Sequence, residues 1–310
     1  MKNRLENLSE KRNAKRRRIL TAIFLLFGGY LALCALLAWG TVCRKPKQMT
    51  RTPAELGLRY EAIQFISADG TILRGWFLPS EGRPKGVIVC CHGVDSTRLA
   101  LLRPAQTLHR AGYAVLLFDF RARGESGGEF CTLGYRETDD LLAAVAYAQS
   151  RPDCRNLPIG ALGESMGGAV ALMAAARNPA IRGVIAESPF ARLDHAVACH
   201  FQSLLGAGGP ILGVPTRWMG ERLIGKNCAE IAPVAEISRI APRPLLLIAD
   251  AADLLCPPSE TDFLFAAAGG PKQLWTVPNA GHIGAKTAQP AEYKRRVLAF
   301  FDSCLRSGSH

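Results

Sequence analysis

Two serines in the chain sit in the pattern Gly-x-Ser-x-Gly: Ser165 in Gly163-Glu164-Ser165-Met166-Gly167-Gly168, and Ser126 in Gly124-Glu125-Ser126-Gly127-Gly128. A serine hydroxyl is a weak nucleophile at neutral pH. It becomes a strong one when an imidazole takes its proton and a carboxylate orients that imidazole. The glycines allow the sharp strand-to-helix turn that holds such a serine exposed at the end of a sheet. Only Ser165 has the flanks this turn needs. The apolar run LPIGALG, residues 157–163, precedes it, and the Ala-rich stretch that follows is helical in composition. Ser126 is separated from its upstream strand by Arg121-Ala122-Arg123 and is followed by the loop-like GGEFCTLGY. It is read as part of a Gly-rich turn.

In sheets of this kind the nucleophile comes first in the chain, then the acid, then the histidine. Downstream of Ser165 stand His195, His200, His282 and His310. His310 ends the chain, and His195 and His200 lie in a segment that breaks the strand–helix rhythm. His282 directly follows the last apolar strand, in Pro278-Asn279-Ala280-Gly281-His282, and is the candidate base. Asp250 and Asp253 both follow the strand PLLLIAD, and spacing alone does not separate them as the acid. Two backbone N–H groups should face the oxyanion. Met166, one residue after the serine, supplies one, and Val94, in the loop after GVIVCCHG, supplies the other. His92 in that loop is read as shaping it. The ten cysteines include no Cys-x-x-Cys pair or Cys/His metal spacing, so no zinc site is expected. Cys90 and Cys91 read as small core residues; in an oxidising compartment others could pair.

The elements that must position these groups alternate. Residues 59–67 and 71–79 form a hairpin about Asp69-Gly70. Apolar strands follow at 86–93, 113–120, 157–163, 181–187, 244–250 and 272–278, eight strands in all. Helical stretches at 98–112, 135–150, 165–178, 259–268 and 291–306 lie between or after them. Continuous apolar strands separated by helices give a mostly parallel sheet with helices on both faces, hence an α/β fold. Residues 191–240 form a cap-like insertion over the C-terminal edge of the sheet. Its apolar residues Phe201, Leu204, Leu205, Ile211, Leu212, Trp218 and Met219 are expected to pack the cap onto the body. The alternative is contact with an acyl chain, which makes a lipid ester a substrate hypothesis beside a small soluble one.

The formal net charge is +12, but residues 1–59 hold 13 Lys/Arg against 3 Asp/Glu, leaving the remainder nearly balanced. The body therefore has no basic face for nucleic acid, and no such partner is expected. A basic tail, residues 1–18, precedes a charge-free run at 19–42, which at ~1.5 Å per residue can cross a ~30 Å hydrocarbon core. It is longer than the ~7–15 residue apolar region of a signal peptide. An uncleaved transmembrane anchor over 19–43 is expected, then a linker over 44–58 and the hydrolytic domain over 59–306. Eight Lys/Arg before the span against five after it favour a single-pass protein with a cytoplasmic N-terminus and an extracytoplasmic body.

Taken together, His92-Gly93, DFRARGESGG at 119–128, GESMGG at 163–168, ESPF at 187–190, the Asp before a proline at 253–257 and Gly281-His282 resemble the α/β-hydrolase family. The likeness covers about residues 60–305 and is greatest to single-domain serine hydrolases with a small cap, including membrane-anchored ones of the BEM46/ABHD type. The family's acid often stands in His-Gly-x-x-Asp-x-x-Val-Pro. The matching stretch here, Ala249 to Pro257, puts it at Asp253, with Ala249-Asp250 in place of His-Gly and Cys256 in place of Val. The resemblance also implies that Asp119 and Arg123 build a structural turn. It implies hydrolysis of esters or thioesters through an acyl-enzyme, with no metal or organic cofactor. A peptidase of the prolyl-oligopeptidase type shares the Ser165 motif but usually carries a large propeller, which residues 1–59 cannot form. A non-catalytic scaffold with the same fold commonly lacks a triad member, and none is missing here.

Overall fold

The computed structural model describes residues 2–305, with side chains from residue 11 onward, so His310 lies outside the described residues. Helix α1 (Lys2–Val42) is a single 41-residue helix. The stretch 1–18, expected as a separate tail, continues that helix from Lys2 onward, because its Lys, Arg, Glu, Leu and Ala favour helix and no Gly or Pro interrupts them.

The eight expected strands form one sheet: β1 (Glu61–Ile66), β2 (Ile72–Leu78), β3 (Val87–Cys91), β4 (Ala114–Phe118), β5 (Ile159–Glu164), β6 (Ile181–Glu187), β7 (Leu245–Asp250) and β8 (Lys272–Val277). Their spatial order is β8-β7-β6-β5-β3-β4-β2-β1. Strand β2 is antiparallel to both neighbours, and every pair from β4 to β8 is parallel. The central strands are buried on both faces, which is why they read as unbroken apolar runs. Val87, Val89 and Cys91 of β3 enter one core layer, with α3 (Glu137–Ser150), α4 (Met166–Arg177) and α7 (Pro258–Ala267). Ile88 and Cys90 enter the other, with α2 (Leu102–Arg110) and α8 (Pro290–Cys304). All ten cysteines are free thiols, and Cys90 and Cys91 are core residues.

The insertion is helical. Helices α5 (Leu193–Leu205) and α6 (Gly209–Ile224) form a hairpin closed by a turn at Gly206–Gly208. Helix α6 packs both on α5 and along α1. Phe201 is buried, but Leu204, Leu205, Ile211 and Trp218 are exposed, so most of this apolar surface does not hold the cap on the body as expected. The segment 44–58 is also more than a tether. Lys45–Pro46 pairs in parallel with Arg123–Gly124, and Cys131 N–H donates to Val42 O at 2.8 Å.

Strand β5 must lie flat against α8. A Cβ on Gly160 would stand 2.6 Å from Phe301 Cε1 and 2.9 Å from Ile88 Cδ1, both in buried side chains. Gly160→Ala should therefore cost about 1–3 kcal/mol of stability, read as a lowered thermal unfolding midpoint of the detergent-solubilised chain; an unchanged midpoint would mean that this contact yields freely.

Candidate active site

Ser165 ends the β5-to-α4 turn with φ 54° and ψ −121°, a left-handed strained conformation for a residue with a side chain. The turn closes only because its neighbours lack side chains. A Cβ on Gly163 would run into Gly167 O, and one on Gly167 into Cys91 O. Ser165 N–H donates to Glu187 O at 2.8 Å, which ties the elbow to β6.

The loop after β8 brings His282 over this serine. His282 Nε2 lies 2.8 Å from Ser165 Oγ, and Nδ1 lies 2.7 Å from Asp253 Oδ2. With Nδ1–H donating to the carboxylate, Nε2 presents a lone pair to the hydroxyl proton. Asp253 is buried, and its Oδ1 accepts from Leu255 N–H at 2.8 Å and Cys256 N–H at 2.9 Å. Both oxygens are thus fixed. The arrangement can move a proton off Ser165 Oγ and hold the resulting imidazolium.

Asp250 does not reach the imidazole. It accepts from Ser188 Oγ at 2.8 Å and from Gly284 N–H at 3.0 Å, bracing the histidine loop from below. Ser188 and Ile283 share the positive φ of Ser165, at 47° and 52°, so strained residues gather around the imidazole. Beneath them lies a buried acidic group. Burial raises the Asp250 carboxyl, against the bonds from Ser188 and Gly284. Burial, with Glu164 and Asp250 nearby, holds Glu187 well above the carboxylate range, while Glu187 Oε1 accepts from Ala285 N–H at 3.0 Å. Burial also raises Glu164, opposed by the Lys286 ammonium at 2.5 Å. Lys286 lies in no motif, and Ser188 falls in the ESPF stretch at 187–190, which by itself assigns it no role.

The loop after β3 brings Gly93 beside Ser165; a Cβ there would touch Ser165 Cβ at 3.4 Å. His92 shapes that loop: it pairs through Nδ1 with Gly93 O at 2.7 Å and accepts from Phe120 N–H at 3.0 Å through Nε2. Burial lowers its pKa, so it stays neutral. Neither Val94 N–H nor Met166 N–H donates to a protein acceptor among the described residues. Ser126 is structural: its buried Oγ donates to Asp119 O at 2.6 Å and accepts from Arg74 N–H at 2.9 Å. His195 faces Glu260, and His200 lines the cavity without bonding Ser165.

Sequence reasoning placed Arg123 in a turn but missed its reach. This side chain is 1% exposed. Its Nε donates to Val94 O at 2.6 Å, Nη1 to Cys43 O at 2.9 Å and Ala122 O at 3.0 Å, and Nη2 to Thr41 O at 2.7 Å. The end of α1 and the Val94 loop are thereby one unit. A cavity of about 220 Å³ opens above Ser165, with Val94, Met166 and His282 at its floor. Its walls include Ala38, Thr41 and Val42 of α1 and Phe201 and Ile224 of the cap.

Fold and site together define an α/β hydrolase, and the chain belongs to that superfamily. Residues 82–224 match the hydrolase family described as serine aminopeptidase, S33. The chain is similar to the uncharacterized protein YqkD of Bacillus subtilis, at 31% identity over 78% of this chain and 79% of that one. It is 29% identical to YfhR of Escherichia coli K12 over 79% and 81% of the two chains. Among solved structures it resembles an esterase of Pyrococcus furiosus, with a TM-score of 0.71 and 28% identity over 85% of this chain and 98% of that one.

Arg123→Lys keeps the charge but cannot reach all four carbonyls. It should lower stability by about 2–4 kcal/mol, the scale for breaking a buried polar network, while Arg103→Lys on the exposed face of α2 should do little; thermal unfolding of the two variants compares them directly.

Proposed function

We propose that this protein is a membrane-anchored serine hydrolase that cleaves carboxylic esters or thioesters through an acyl-serine intermediate. The observation that carries the reading is the hydrogen-bonded line from Ser165 Oγ through His282 to Asp253, set on a strained elbow. Ser165 Oγ attacks the acyl carbon as His282 Nε2 takes its proton. The carbonyl oxygen becomes an oxyanion held by the Val94 and Met166 N–H groups. The tetrahedral adduct collapses, the C–O or C–S bond breaks, and His282 passes its proton to the departing alcohol or thiol. Water then attacks the acyl-serine with His282 again as base, releasing the acid and restoring the Ser165 hydroxyl. Asp253 keeps the imidazole in the required tautomer and supports its charge. No step calls for a metal or an organic cofactor.

The anchor reading rests on the charge-free run in α1, and the bonds from Arg123 to Thr41 O and Cys43 O support a helix that stays attached. The Lys/Arg bias supports a cytoplasmic N-terminus with the body on the far side. The family description names aminopeptidases, which gives a peptidase reading some support. An aminopeptidase needs an unpaired carboxylate for the substrate's ammonium. Among the described residues lining the cavity, the only carboxylate is that of Asp95, which pairs with Lys45 at 2.6 Å and lies 3.8 Å from Arg123. That, with the apolar walls, favours an ester.

A fluorophosphonate probe applied to the full-length chain should label Ser165, with labelling abolished in Ser165→Ala and retained in a folded Ser126→Ala; labelling elsewhere, or none, would sink the reading. Asp253→Asn should lower kcat by about 10⁴, as for a triad carboxylate, whereas Asp250→Asn should cost on the order of 1 kcal/mol through the loop it braces. The reverse ranking in a short-chain ester assay would move the acid to Asp250.

A further inference from the structure

The charge pattern of the cap differs from that of a water-facing lid. Between Asp194 and Arg217 the hairpin contains no Asp, Glu, Lys or Arg. Its tip exposes Leu204 and Ile211 at 65% each, with Leu205, Val214 and Trp218 also open. The ionic groups collect at its base, where Arg217 faces Asp194 and Glu221. In water such a surface is an aggregation liability.

The neighbour of this surface is the anchor. Cys34, Ala38 and Val42, four residues apart, form the buried stripe of α1, and α6 runs along that helix. The contact continues to Tyr30, whose hydroxyl donates to Ile211 O. From Tyr30 to Val42 is ~18 Å of helix, about half the length of the charge-free run. This register has a geometric consequence. A cap wholly in water would leave only residues 19–29 of α1 to cross the bilayer. Eleven residues reach ~17 Å, well short of a ~30 Å hydrocarbon core. If α1 spans, Ile211 lies near mid-membrane.

We infer that the α5–α6 hairpin is embedded in the membrane leaflet next to the hydrolase body, and that the site takes a long-chain acyl ester sideways from that leaflet. The substrate half of this rests on the ester-hydrolase reading; the position of the hairpin does not. The cavity above Ser165 is walled by Ala38, Thr41 and Val42 on the anchor side and by Phe201 and Ile224 on the cap side. Lipid-facing helices therefore form the walls of the compartment in which the acyl group would lie. Helical backbone satisfies its own hydrogen bonds at that depth.

The test uses the full-length chain in phosphatidylcholine vesicles containing a minor fraction of phosphatidylglycerol. An environment-sensitive fluorophore is placed on Leu204→Cys, and on Gln149→Cys as an exposed control, with the signal of the unsubstituted chain subtracted for its native thiols. Phosphatidylcholine carrying a nitroxide midway along its acyl chain should quench the Leu204 position more strongly than a headgroup nitroxide, and neither should quench the Gln149 position. Quenching at Leu204 by the headgroup probe alone, or by neither, would overturn the embedded hairpin. In the same vesicles the chain is given a long-chain acylglycerol and, separately, a soluble short-chain nitrophenyl ester. Ile211→Glu should lower turnover of the acylglycerol about tenfold or more, the scale set by placing a charge in lipid, and leave the short ester within about twofold. Equal effects on both esters, or hydrolysis of the short ester alone by the unsubstituted chain, would overturn the leaflet substrate while the ester reading stands. Hydrolysis of neither would overturn the ester reading and the substrate with it, and quenching would still decide where the hairpin lies.

Discussion

One buried guanidinium joins the parts of this molecule that a linear reading keeps apart. Arg123 holds four carbonyls: Thr41 O and Cys43 O at the end of α1, Ala122 O in its own turn, and Val94 O in the loop beside Ser165. The last carbonyls of a helix have no intrahelical donor and form the negative end of its dipole, so a cation there satisfies both needs at once. Without it the partly buried carbonyls of Thr41, Cys43 and Val94 would lose this donor, at a cost comparable to a lost hydrogen bond each, while Ala122 O would keep the N–H of Lys45. The turn that presents Arg123 is itself over-determined. Asp119 accepts from Arg98 N–H and Glu125 N–H, and Ser126 Oγ bridges Asp119 O to Arg74 N–H. The second Gly-x-Ser-x-Gly of the chain thus serves to hold an arginine.

The nucleophile side of the site obeys a different constraint, that of strain held in place by buried polar bonds. Ser165, Ser188 and Ile283 adopt left-handed backbone conformations within one cluster, and each is tied to a strand or loop by hydrogen bonds. The carboxyls of Glu164, Glu187 and Asp250 lie beneath them, all raised by burial. Three neighbouring carboxylates would repel one another, so the raised values favour neutral forms, with Lys286 balancing Glu164. This layer positions the His282 loop without touching the reacting atoms.

The fold was legible because its signals are local. Each parallel strand is an apolar run, and the glycines at 163, 167 and 168 carry the elbow in their spacing. Ser165 and His282 could be named from their flanks. Asp253 could not, since Asp250 shares its strand end; the family register over Ala249 to Pro257 pointed to Asp253, and the bonds each carboxylate makes separate the brace from the partner of the imidazole. Arg123, Lys286 and Ser188 act across separations of dozens of residues, and one sequence without geometry holds no trace of such pairings. The cap was legible as an insertion but not in its orientation. An apolar helix packed on a core and one facing lipid have the same composition; what distinguishes them is which neighbour covers the exposed side.

Rigid coupling between α1 and the candidate site does what a flexible linker would not. A tether of a few unpaired residues would leave the body free to turn relative to α1. Here the chain leaves α1 at Val42, pairs Lys45–Pro46 with Arg123–Gly124, and returns Cys131 N–H to Val42 O. These contacts fix the orientation of the cavity relative to the helix axis. Holding a site in one orientation toward its substrate lowers the entropic cost of each encounter. If α1 spans a membrane, as proposed, the walls contributed by Ala38 and Val42 keep the cavity against the membrane-spanning helix. Helix α1 is then a structural part of the candidate site: its last two turns set one wall of the cavity, and its terminal carbonyls, through Arg123, set the Val94 loop, the proposed seat of the oxyanion.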